Sequence, residues 1–70
     1  MKVELDCKKL RELRKQNCLT QEQLAEMLEI SDRHLRNLET ACTNPSATVL
    51  CRISHVLDVP IAELMTEISD

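Results

Sequence analysis

The stretch Leu19-Thr20-Gln21-Glu22-Gln23-Leu24-Ala25-Glu26 decides how this chain folds. Thr20 and Gln23 stand three apart. At that spacing the threonine hydroxyl accepts from the Gln23 amide while the glutamine side chain returns to the Thr20 N–H, a reciprocal cap that fixes a helix start. Leu24, Ala25 and Leu28 then fall on one face, so a helix is expected from Gln21 to about Leu28. Only Leu28-Glu29-Ile30-Ser31 separates it from the next periodic segment, Asp32 to about Thr40, whose inward positions are Leu35 and Leu38. Two short helices joined so tightly cross at a steep angle.

The same device recurs outward in both directions: an apolar residue, a start residue, then an apolar residue inside the helix. The pairs are Leu5/Leu10, Leu19/Leu24, Ile30/Leu35, Pro45/Leu50 and Val59/Leu64, with Asp6, Thr20, Ser31, Ser46 and Pro60 between their members. Four of these starts carry a short side-chain oxygen for a free first-turn N–H. Pro60 has none, and its fixed φ sets that boundary only to within a residue. Helix one runs from about Cys7 to Gln16 with Leu10 and Leu13 inward, and Asn17 is expected to end it in the left-handed conformation. A polar loop, 41–44, leads through Pro45 into helix four, Ala47 to Leu57, with Leu50, Ile53, Ser54 and Leu57 on one face. Helix five spans about Ile61 to Thr66. The chain has no Gly and no aromatic residue, which favours helix and removes the usual hairpin signals, so strands are not expected. The reading is all-α, one domain over residues 1–70 with its core at about 6–66, since seventy residues leave no apolar surface for a second core.

Cys7, Cys18, Cys42 and Cys51 form no CxxC pair and no signal-like apolar run precedes them, so free thiols and a cytoplasmic setting are expected. Charges recur too often for a membrane span. Net charge is −3, but it is unevenly placed. Residues 1–36 carry eight cations against seven acids, and residues 37–70 carry only Arg52 against five. Such polarity orients a protein on phosphates, although ordinary solvated faces explain it as well.

Taken together, Leu19-Thr20-Gln21 with Leu24-Ala25, Ile30-Ser31, Leu38-Glu39, Pro45-Ser46, Leu57-x-Val59 and Leu64, preceded by Leu10-Arg11-x-Leu13-Arg14, resemble the Cro and repressor-type (XRE) helix-turn-helix family over roughly residues 6–65. The resemblance implies a five-helix lambda-repressor-like fold with the helix-turn-helix at helices two and three. It implies double-stranded DNA as partner, with helix three in the major groove and helix two across the backbone. The positions matching the family's base readers are Asp32, Arg33 and Asn37, flanked by His34 and Arg36. Arg bonds guanine and Asn bonds adenine in bidentate fashion; Asp32 suits the helix N-terminus or a cytosine amino group. Gln21, Arg11, Lys15 and Thr43 are the implied phosphate contacts. Arg14 and Glu39 match a pair that bridges helices one and three. The family commonly has Gly where this chain has Cys18, Glu29 and Ala41, so left-handed backbone is to be looked for at those sites.

Without the resemblance, Arg33, Arg36 and Asn37 would equally suit an amphipathic helix's wet face. Cys51 and His55 stand at i, i+4, but zinc needs about four ligands and no second close pair exists, so no metal is expected. No nucleophile and base, phosphate loop or paired carboxylates can be named, so no enzyme, cofactor, small-molecule ligand or ligand-sensing domain is expected within these seventy residues. Ile61, Leu64, Met65 and Ile68 recur at i, i+3, i+4 and i+7, an apolar stripe too wide for the core alone. A homodimer centred on Ile61, Met65 and Ile68 is therefore expected. The function expected is a DNA-binding transcriptional regulator, a repressor at an inverted repeat. Its rival is a protein-interaction module of antitoxin or anti-repressor type, favoured by the acidic pI and Asp32.

Overall fold

The computed structural model describes residues 2–41 and 44–68, with backbone alone at Lys2 and Ile68. The order is β1 (Lys2–Leu5), α1 (Cys7–Gln16), α2 (Gln21–Leu28), α3 (Asp32–Thr40), α4 (Ala47–Leu57), α5 (Ile61–Leu64) and β2 (Met65–Ile68). Each of the first four helices begins with its side-chain cap in place. Asp6, Thr20, Ser31 and Ser46 accept from the amides of Lys9, Gln23, His34 and Val49. Thr20 and Gln23 complete the reciprocal box, at 3.1 and 2.9 Å. Pro60 precedes α5 at φ −65° without a side-chain bond.

The helix ends use a second device. Leu19, Ile30 and Val59 donate to carbonyls five residues back, Arg14, Ala25 and Ser54, at 3.0 to 3.1 Å. The residue before each donor is left-handed: Cys18 at φ 57°, Glu29 at 59° and Asp58 at 54°. This is the Schellman turn, usually closed by glycine. One apolar residue after each turn thus closes one helix and precedes the cap of the next. Two expectations are corrected here. Asn17 is not left-handed but stands at φ −90°, because its amides bond back to α1 and the reversal falls one residue later. Ala41, at φ −91°, needs no glycine.

Strands were not expected, yet β1 and β2 form an antiparallel ribbon in register Lys2↔Ile68, Val3↔Glu67, Glu4↔Thr66 and Leu5↔Met65. The fifth helix is correspondingly shorter than expected. It stops at Leu64, whose carbonyl accepts from the Asp6 amide at 2.7 Å, and Met65 is already extended. The helical stripe of Ile61, Leu64, Met65 and Ile68 therefore does not form. Once β1 lies alongside, the residues after Leu64 gain a strand partner, which outweighs a second turn of so short a helix.

One apolar cluster holds the helices together. Leu5, Leu10, Leu24, Leu28, Leu35, Leu38, Ile53 and Leu64 are fully buried, joined by Leu13, Ala25, Val49 and Leu57. Each of the large ones contributes about 1.5–3 kcal/mol by leaving water. On α4, Val49 is buried and Leu50 only half-buried, a small rotation from the face expected. Cys18 and Cys51 are free and exposed, but Cys7 is disulfide-bonded, which corrects the expectation of free thiols throughout. Pairing follows tertiary proximity, which spacing along a chain does not carry. No helix among the described residues is long and apolar enough to cross a membrane.

Candidate nucleic-acid interface

α3 turns Leu35, Leu38 and Glu39 inward and leaves Asp32, Arg33, His34, Arg36 and Asn37 exposed. Arg33 and Asn37 are one turn apart, as are Asp32 and Arg36, so the outward face offers two adjacent rows of polar side chains. Asp32 occupies the first turn, where its charge favours the helix N-terminus.

The orientation of α3 is fixed from beneath by a charged junction. Arg14 Nε donates to Glu39 Oε2 at 2.8 Å and Arg14 Nη2 to Oε1 at 3.2 Å. The Glu39 side chain is 0% exposed and that of Arg14 10%. A third donor, Arg14 Nη1, reaches the Leu19 carbonyl at 2.9 Å, and Gln21 Nε2 completes the carboxylate's shell at 3.2 Å from Oε1. The junction thus joins α1, the turn after it, the first residue of α2 and the end of α3. Such a buried pair adds little net stability, but its geometry sets the angle between helices.

The turn between α2 and α3 is braced from the other side. Arg52 of α4 donates through Nη1 to the Leu28 carbonyl at 3.3 Å and pairs through Nη2 with Glu29 at 3.4 Å. No local motif in the sequence marks Arg52 for this role. Its one signal was that it is the only cation of residues 37–70.

The expected phosphate contacts are distributed around this frame. Gln21 is half-buried at the start of α2, its amide shared with Glu39, and Arg11 and Lys15 are exposed on α1. Thr43 lies outside the described residues. Of the expected dimer residues, Ile61 is 38% exposed on α5, Met65 is half-buried on β2, and the Ile68 side chain is not described. Cys51 and His55 both line an open groove with Met27 and Val56, and no group of three or more metal-binding side chains gathers among the described residues.

Comparison with known proteins agrees with this geometry. The helix-turn-helix family model matches residues 10–64. Among solved structures, SinR, the master regulator for biofilm formation, in complex with DNA, is 30% identical with a TM-score of 0.76, over 83% of this chain and 94% of that one. The restriction-modification controller protein C.AhdI from Aeromonas hydrophila is 29% identical with a TM-score of 0.75, over 83% and 88%. A transcriptional regulator from Listeria innocua is 25% identical with a TM-score of 0.78, over 91% and 60%. No curated protein matches. With the family pattern spanning most of the chain and the same helices arranged alike, this chain belongs to the XRE-type helix-turn-helix family.

Proposed function

We propose that the protein is a sequence-specific DNA-binding transcriptional regulator, a repressor acting as a homodimer on an inverted repeat. The observation that carries this reading is the exposed row of Arg33 and Asn37 on a helix whose tilt is fixed by the buried Arg14–Glu39 pair. With α3 in the major groove, Arg33 and Asn37 read base edges, Arg36 and His34 flank them, and Asp32 accepts from a cytosine amino group or stays on its own helix N-terminus. Gln21, Arg11, Lys15 and Thr43 would contact phosphates. The likeness to SinR, a structure solved in complex with DNA, supports DNA as the partner. Two copies would present two recognition helices to half-sites about one DNA turn apart.

A second reading, a protein-interaction module without DNA affinity, is favoured by the open, largely apolar groove where Met27 is 50% exposed beside Cys51 and Val56. Mobility shift on random duplex separates the two. A DNA binder holds duplex at low salt and loses on the order of a hundredfold in affinity when salt is raised fourfold, as counterions reclaim the phosphates from cations such as Arg11, Lys15, Arg33 and Arg36. No shift at low salt leaves the interaction module standing.

A further inference from the structure

The outer edge of β1 carries a pattern that neither the helix-turn-helix nor its DNA contacts use. The Asp6 amide bonds the Leu64 carbonyl, so in this antiparallel register Glu4 and Thr66 exchange the next bonds inward. Val3 and Leu5 alternate with them and aim their backbone groups away from β2. Leu5 N–H already has a partner there, the Asn44 side-chain oxygen at 3.4 Å. Val3 has none among the described residues, and its side chain is 52% exposed. Among the described residues the two strands make the whole sheet, so β1 presents an open edge at Val3.

We infer that this edge is where a second copy of the chain docks, by antiparallel pairing of β1 with the partner's β1 about a two-fold axis at Val3. In that register Val3 and the partner's Val3 exchange two backbone hydrogen bonds. The register also sets Lys2 across from the partner's Glu4, and Glu4 across from the partner's Lys2, a cation opposite a carboxylate on both sides. The segment Lys2-Val3-Glu4 is thus complementary to itself. A two-fold axis at Glu4 would set Glu4 on Glu4. The edge of β2 lacks this match. Its outward residues are Met65 and Glu67, and an axis at either one sets Glu67 against the partner's Glu63 or Glu67. The product is a four-stranded sheet ordered β2, β1, partner β1, partner β2.

This inference deepens the homodimer in the function proposed above and rests on that reading, but its test contains no DNA, so the two fail separately. The unsubstituted chain, Lys2→Glu and Glu4→Lys are sedimented alone, and the two variants are then mixed in equal amounts. Each variant alone faces like charges at both positions and should dissociate about tenfold more readily or worse. The mixture restores opposite charges at both positions and should recover the unsubstituted dimer, a result that misfolded variants would not give. Val3→Pro removes the outward amide, which makes no bond within the ribbon, and should give a folded monomer by circular dichroism. An unsubstituted chain that is monomeric at high micromolar concentration overturns the inference. So does a dimer indifferent to all three substitutions, or a mixture that fails to recover.

Discussion

At the residue scale, the three left-handed positions expose a conflict between local cost and global fold. Cys18, Glu29 and Asp58 each hold a conformation that glycine reaches freely. Cys18 is exposed and free, so replacing it removes no core contact. Cys18→Gly should raise stability by about 1 kcal/mol and the melting temperature by several degrees, measured by thermal unfolding. A fall would mean that the Cys18 side chain contributes more than its backbone costs. The outward residues of α3 make a separate set. On a preferred duplex, Arg33→Ala and Asn37→Ala should each lose about 1–3 kcal/mol of binding and relax base preference. Gln21→Ala should weaken preferred and random duplex alike, since a phosphate contact carries no sequence information. Equal losses for all three on both duplexes would remove the assignment of base readers.

At the scale of elements, α1 and α3 meet through one buried ion pair, and the cost of breaking it differs from the cost of replacing it. Glu39→Ala strands the Arg14 guanidinium in a site with little access to water and should cost about 3–5 kcal/mol in denaturant unfolding. Replacing both partners, Arg14→Met with Glu39→Leu, should cost far less, and a double variant as unstable as the single one would contradict this account. The helices themselves were legible from local signals. A cap and a following apolar residue lie within five positions of each other, and Asp6, Thr20, Ser31 and Ser46 each form the bond their chemistry suggests. The segment after Leu64 was not legible in this way. Ile61, Leu64, Met65 and Ile68 satisfy a helical period, and what makes Met65–Ile68 a strand is β1 at the far end of the sequence. No window along the chain contains both. The same holds for the Cys7 disulfide and for Arg52 under the turn, contacts created by tertiary approach.

At the scale of the whole molecule, the polar face of α3 was legible only through its setting. Arg33 and Asn37 are unremarkable on any wet helix and gain meaning from the turn that delivers α3 and the pair that tilts it. The ribbon adds a property of another kind. Because Lys2 and Ile68 are cross-strand partners, the described chain leaves the body where it enters, and the fold is nearly a closed ring. The caps and turns that begin and end the helices are contacts between near neighbours, which cost little chain entropy to form. The ribbon asks the ends to find each other, and it becomes cheap only after the body has packed and drawn Asp6 beside Leu64. It is therefore expected to open before the helices do, most readily beyond Glu4 and Thr66 because Leu5 is held in the core, and amide protection lower there than in α3 would show it. A partner held on β1 would then act as a clasp on the ring, slowing the loss of the element that local sequence does least to secure.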